Sequence, residues 1–262
     1  MKKLLLLLSL LSFSTGFAQV KFRVGLNSGY NATFVLDKGI TDDPRYGAEA
    51  TYNFSPIGAT FGAELTDNFA LQLESLISNQ GQVFKIIDAA SKQVGERKID
   101  LQYVNIPLLF QKLGTGDKTR FNFMIGPQLS LLTRAQDIYN QTQTANVRIP
   151  EGAAPPTDKY GNAIAQNPDG TYTVPAQNTT LASISNFKNA NLQLAAGFGL
   201  DVFFSDYLYL STNVRANYGI TDARNEDLIN AIKNKKVSEL FGKRSDLLVG
   251  VQLGLHFIFG GR

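Results

Sequence analysis

The sequence predicts an all-β chain: eight antiparallel strands closed into an up-and-down transmembrane β-barrel with long extracellular loops. Three observations carry this. From Leu247 to Phe259 every odd position is a large apolar residue, while Gly250, Gln252, Gly254 and His256 fall between them. A strict period of two marks a strand with two different faces. The first 18 residues have the form of a secretory signal. No apolar run after them is long enough for a transmembrane helix. A membrane protein without spanning helices must close its sheet, because only closure pairs every backbone group away from water.

At the N-terminus, Lys2 and Lys3 precede a leucine-rich run from Leu4 to Leu11, too short to span a bilayer. Gly16 and Ala18 are the small residues of a cleavage site between Ala18 and Gln19. The expected division is a signal at 1–18 and an outer-membrane barrel at 19–262. The signal removes two of the 25 basic residues and leaves a nearly neutral chain against 22 acids. That balance gives no electrostatic case for nucleic-acid binding. With no Cys, neither disulfides, thiol chemistry nor a lipid anchor is available.

Strands are expected at about 22–30, 57–65, 69–84, 98–112, 120–135, 191–204, 208–219 and 246–259. Connections alternate long and short, with long external loops at about 31–56, 136–190 and 220–245. Short periplasmic turns and longer external loops are the transmembrane-barrel arrangement. Parity at Thr66-Asp67-Asn68 and Ser205-Asp206-Tyr207 requires three-residue connections, so that Leu65 and Phe69, and Phe204 and Leu208, all face lipid. This register sets Arg215 opposite Gly197, Asn213 opposite Gly199, Gln72 opposite Gly62 and Glu74 opposite Thr60. Phe22, Phe69, Phe121, Phe204, Phe257 and Phe259 gather at the periplasmic ends, with Tyr30 and Tyr218 at the other, as two interfacial girdles would. A soluble barrel would solvate its polar face with many charges. This one carries Gly, Asn, Gln and Ser with few charges, which suits a crowded interior.

In the fourth strand apolar residues occupy odd positions up to Tyr103 and even ones from Val104 to Phe110. Pro107 cannot donate to a ladder, so a bulge or a local break is expected there. In the loops, Asn167-Pro168-Asp169-Gly170 reads as the turn of a short projecting hairpin, and Glu226–Phe241 as a short helix.

Eight strands enclose a space that side chains fill, so a diffusion porin is not expected. Buried charges need partners. Arg23 and Arg215 are expected to pair with some of Glu64, Glu74 and Asp201, a polar plug that holds the barrel rigid; a proton path or small-ligand site is the other reading. His256 is the only histidine and faces inward near the periplasmic end. It reads as a hydrogen-bonded interior residue. One His and no Cys cannot supply a usual zinc site, and no phosphate loop is present. No catalytic, cofactor or metal residue is assigned.

Tyr103-Val104-Asn105-Ile106-Pro107-Leu108-Leu109-Phe110 resembles the strand signature of PorT-like outer-membrane β-barrel proteins of the Bacteroidota. Gly126-Pro127-Gln128-Leu129-Ser130-Leu131-Leu132 and Tyr218-Gly219-Ile220-Thr221-Asp222 are similar to the same family and fall in the same order. Gln128 replaces a common aromatic, Ala223 a common aliphatic, and Gln111-Lys112 sets the strand-end lysine late. The resemblance implies a barrel of the outer membrane whose namesake acts in type IX secretion and gliding; it carries over no catalytic residue. The expected function is non-enzymatic: a structural or docking component of the cell envelope, in contact with outer-membrane lipid and with envelope or secretion-machinery proteins. The alternative is a surface adhesion or ligand-binding barrel that uses its external loops. An integral-membrane enzyme is a third, weaker reading.

Overall fold

The computed structural model describes residues 20–260; the expected cleavage site at Ala18 and Gln19 lies outside them. Eight long strands form the wall: β1 (Lys21–Asp37), β3 (Thr51–Thr66), β4 (Phe69–Ile87), β5 (Gln93–Leu113), β6 (Thr119–Gln141), β10 (Ala190–Ser205), β11 (Leu208–Gly219) and β12 (Arg244–Phe259). Each is antiparallel to its neighbours, and β12 pairs with β1 to close the ring. The register runs from Phe22 through Ala63, Leu71, Phe110, Ile125, Ala196, Ala216 and Val249, and returns to β1 at Ala32. That stagger of ten residues on eight strands makes a narrow tilted barrel whose interior side chains can fill.

The outer surface of the wall is apolar. Phe54, Ile57, Phe121 and Phe198 are each more than half exposed, and the odd residues Val249–Phe259 line the same band. A solvated surface does not carry a continuous apolar band of this size; a bilayer requires one. Phe22 stacks on Phe61 and Phe259 at one rim of the band, and Tyr30 stacks on Tyr52 at the other.

Connections on the periplasmic side are Asp67–Asn68, 114–118 and Asp206–Tyr207. The sheet reaches both tight turns through a bulge: the register shifts between Glu64 and Thr66, and between Phe203 and Ser205. The three-residue connections read from parity are therefore two-residue turns with one bulged residue. Leu65, Phe69 and Phe204 face outward, and all four cross-strand pairs set by parity occur. On the other side the strands run several residues beyond the aromatic rim, so the loops shrink to 38–50, 88–92, 142–189 and 220–243. These carry α1 (Lys38–Thr41), β2 (Tyr46–Ala48), which pairs with β4, the hairpin β7 (Ala145–Val147) and β8 (Tyr172–Val174), β9 (Gln177–Ser183), which pairs with β6, and α2 (Glu226–Lys233).

Of the two alternatives expected at Pro107, the local break occurs and the bulge does not: pairing lapses beside it, between Leu73↔Leu108 and Leu76↔Asn105, with the register unchanged across the gap. Odd residues of β5 point inward from Arg97 to Leu113. The apolar phase flips because the surroundings change. Within the bilayer the outer face is apolar: Val104, Ile106, Leu108, Phe110. Beyond it the outer face, Lys98, Asp100 and Gln102, meets water, and Ile99, Leu101 and Tyr103 turn inward to pack with Val35, Ile40, Phe84 and Ala135. The bulge is on β6, where the register shifts between Gln102↔Arg134 and Tyr103↔Leu132, leaving Thr133 extra.

The helix expected over Glu226–Phe241 ends at Lys233. Asn225 caps its start, accepting from the Leu228 N–H, and Asn234 ends it, with Lys235 at a positive φ of 55°. Unwinding lets Ser238 and Glu239 reach arginines at the barrel mouth, which a continuous helix would not.

Candidate functional site

The lumen is filled in layers. At the periplasmic end Arg120 donates to Glu64 at 2.8 Å and to Asp201 at 3.1 and 3.2 Å. Arg23 lies 3.7 Å from Glu64 and donates to Gln111 and the Tyr209 hydroxyl. Gly62, facing Arg23 across the strand pair, leaves room for its guanidinium: a Cβ there would stand 3.0 Å from Nε. Arg215 makes a two-pronged pair with Glu74 at 2.7 and 2.8 Å, and Gln72 and Asn27 also donate to Glu74. Arg23, Glu64, Glu74, Asp201 and Arg215 are thus all buried, and Arg120 joins them. Arg120 was missed because it opens its strand; its parity, opposite to Phe121, is the signal that places it inside. Three guanidiniums against three carboxylates make the layer neutral.

His256 lies between Thr60 Oγ1 at 3.2 Å and Ser211 Oγ at 2.9 Å, stacked on Tyr209 with centroids 4.6 Å apart. Serine and histidine are at hydrogen-bonding distance, but both are buried, and the neighbouring Gly25 and Gly254 are packed against the imidazole. The space that adjoins His256 is a shallow groove on the lipid-facing wall between Val24, Leu26, Leu208, Leu255 and Phe257, and Ser211 does not line it. Higher up, Gln128, Gln193 and Gln80 form a chain of amides, and Asn191 donates to the Tyr103 hydroxyl. A void of about 10 Å³ at Asn105, Asn217 and Gln252 has room for about one water.

Above the small apolar core a second ionic layer closes the mouth. Arg97 grips Asp137 at 2.7 and 2.8 Å and donates to Glu239 at 2.8 Å. Arg244 donates to Asp37 at 2.9 Å, Asp137 at 3.2 Å and Glu239 at 2.6 Å. Arg224 holds Asp222 at 3.0 and 3.1 Å and the Gly242 carbonyl, with Asp37 3.4 Å away. The other oxygen of Asp37 caps α1. Arg45 holds Asp43 at 2.6 Å and the Ser238 carbonyl at 2.6 Å. Tyr46 stacks between Arg45 and Arg97, with guanidinium carbons 5.3 and 5.1 Å from its ring. Burial alone would raise the Glu239 carboxyl, but Arg97, Arg244 and Arg224 outweigh it and hold it at about 2. Arg45 is pushed up: burial opposes its charge, and Tyr46 and Asp43 more than offset that. This layer was not legible in sequence, since its members come from two loops, 38–50 and 220–243, and from the outer ends of β1, β5, β6 and β12.

On this layer rests a cavity of about 170 Å³. Its floor is Arg45, Arg97, Asp137, Glu239 and Arg244; its walls come from Pro155–Asp158, from Gln177, Thr179 and Leu181 of β9, and from Leu228 and Lys236–Ser238. Among the described residues no group of three or more acidic or histidine side chains is placed to hold a metal.

Among solved structures, OprG of Pseudomonas aeruginosa is 11% identical over 92% of this chain and 96% of its own, with a TM-score of 0.41. Neisserial surface protein A is 10% identical over 89% and 96%, with a TM-score of 0.41. The outer membrane protease OmpT of Escherichia coli is 8% identical over 93% and 97%, with a TM-score of 0.42. No curated protein matches the sequence. The family model for the outer membrane protein beta-barrel domain matches residues 17–225, through β1 to β11 and the filled lumen they enclose; with its closed ring and lipid-facing band, the chain belongs to that family of the outer membrane.

Proposed function

We propose that this barrel is a non-enzymatic docking protein of the cell envelope whose working face is extracellular, and that the cavity between loops 142–189 and 220–243 receives the partner or ligand. The carrying observation is the contrast between the two ends of one molecule. The lumen is packed with mutually paired side chains, which supports a wall rather than a conduit. The periplasmic turns expose too little chain for a large interface. The outer loops instead fold over a buried ionic floor and leave a cavity of about 170 Å³. Concave sites of this kind, apolar walls around a few fixed polar groups, are where ligands bind.

Subgroup membership among PorT-like barrels, and with it a part in type IX secretion or gliding, is supported by the three strand signatures. On this geometry such a part would also be played through the outer loops. The single histidine, walled in by Thr60, Ser211 and Tyr209, supports the absence of catalysis.

Two measurements on purified protein test the reading. In planar bilayers the barrel should show no stepwise conductance. Arrays of envelope glycans and of peptides should yield ligands whose binding is lost when residues 142–176 are replaced by Asn-Gly. Ion conductance of the intact protein, or ligand binding indifferent to that replacement, would sink it.

A further inference from the structure

Every strand of the barrel wall is paired on both sides, yet β9 ends the sheet: it pairs with β6 and with nothing else. No backbone hydrogen bond joins Gln177–Ala182 to any other segment among the described residues. The other open edges, on β2 and on the β7–β8 hairpin, are three residues long. β9 offers seven residues, Gln-Asn-Thr-Thr-Leu-Ala-Ser, with no proline and no charge. Exposed edges are normally blunted by such residues. Here only the bulge at Leu181 interrupts the ladder. Side chains of Gln177, Thr179 and Leu181 line the cavity, so a strand added at this edge would direct its own alternate side chains into the same space.

We propose that β9 is a strand-addition site: an extended, uncharged peptide segment of another protein pairs with its open edge and sets an apolar side chain into the cavity. The inference rests on the reading of the outer face as the binding face. An open edge presents alternating N–H and C=O groups, and an extended backbone satisfies them in series. The charges of the cavity floor are spent on each other, Arg97 with Asp137 and Glu239, Arg244 with Asp37. That leaves backbone pairing and the apolar walls at Pro155, Pro156, Leu181 and Val237 as the means of recognition. A second copy in the same membrane fits poorly. β9 lies along a membrane-crossing strand, so two copies sharing the membrane normal would bring these edges together parallel. Two-fold symmetry cannot give parallel strands equivalent hydrogen bonds.

The test is to pan a phage library of random linear decapeptides against the full-length protein in nanodiscs. Selected peptides are then examined by amide hydrogen exchange. The expected result is at least tenfold slower exchange at alternate amides of 177–182, with at least tenfold weaker binding when alternate peptide nitrogens are methylated. Proline at Thr179 and, separately, at Thr180 samples both faces of the ladder. The one whose N–H points outward should abolish binding while the protein keeps its heat-modifiable migration. Peptides that bind without protecting β9 would overturn the proposal. So would glycan ligands that bind in the cavity with no peptide selected, an outcome that leaves the reading of the outer face intact. Absence of any cavity ligand would overturn both. Clustering of proteoliposomes lost with the same proline would give the edge to a second copy on an opposed membrane, and would also overturn it.

Discussion

Glu239 receives Arg97 and Arg244 directly, with Arg224 3.6 Å away, and it is the only charged member of the upper ionic layer carried by the chain between α2 and β12. Its carboxyl, held at about 2 against an ordinary 4.5, stabilises the docked loop fully above pH 4.5; that contribution is lost as pH falls through 2. Asp222, also held low because Arg224 outweighs its burial, has the same sign. The chain has no cysteine, so Lys236→Cys gives a unique attachment point for an environment-sensitive dye. Its signal should be flat from pH 7 to pH 4 and change between about pH 3 and pH 2. A transition centred near pH 4.5 would mean that the carboxyl is not held by the arginines. In the lumen, Glu74→Gln leaves the Arg215 guanidinium buried without its anion. Breaking such a pair costs about 3–5 kcal/mol, whereas replacing both members together approaches neutrality. Urea unfolding should place Glu74→Gln well below the double variant Glu74→Gln/Arg215→Met; equal losses would show that the pair is not a unit.

The strands obey two opposite rules along their length. Leu108 on β5 faces lipid, while Ile99, nine residues earlier on the same strand, faces an enclosed apolar core above the membrane. Lysine at Leu108 should cost about 2–4 kcal/mol near the bilayer midplane and impair insertion. Lysine at Ile99 should leave insertion intact and loosen the outer loops. Folding into lipid vesicles separates these from proteolysis of the loops, and equal insertion defects would contradict the inversion. This inversion also explains what sequence alone could show. Within the bilayer the period of two and the parity of the tight turns fix register, so Arg215 opposite Gly197 and Glu74 opposite Thr60 are readable from residues. Beyond it the apolar residues change face, so a strand read with one rule seems to flip its phase between Tyr103 and Val104. Arg97, Asp137 and Arg244 sit in that region and read as loop residues, although the ladder continues through them. The helix over Glu226–Phe241 was over-extended because apolar spacing carries no record that Glu239 is drawn to three arginines.

At the scale of the whole molecule, the wall and the outer structure are built on separate closures. The wall closes through β12 with β1, and no residue between 142 and 176 takes part in it. The outer structure depends on that segment for one side of its cavity, Pro155–Asp158. Gln141 pairs with Gln177, so these residues already stand where a two-residue hairpin turn would join them. Replacing 142–176 with Asn-Gly, a pair suited to such turns, should therefore keep β6, β9 and the ring. The shortened protein should fold into lipid and retain heat-modifiable migration, and its loss of stability in urea should be confined to the small outer cluster of Ile86, Val94 and Tyr139, from which the replacement removes Ala145. It should remain non-conducting as well, because the layers of Arg120, Arg215 and their carboxylates lie below the cut. Failure to insert would mean that the long loop is part of the barrel's folding unit, and conductance would mean that the loop, rather than the packed lumen, is what closes it.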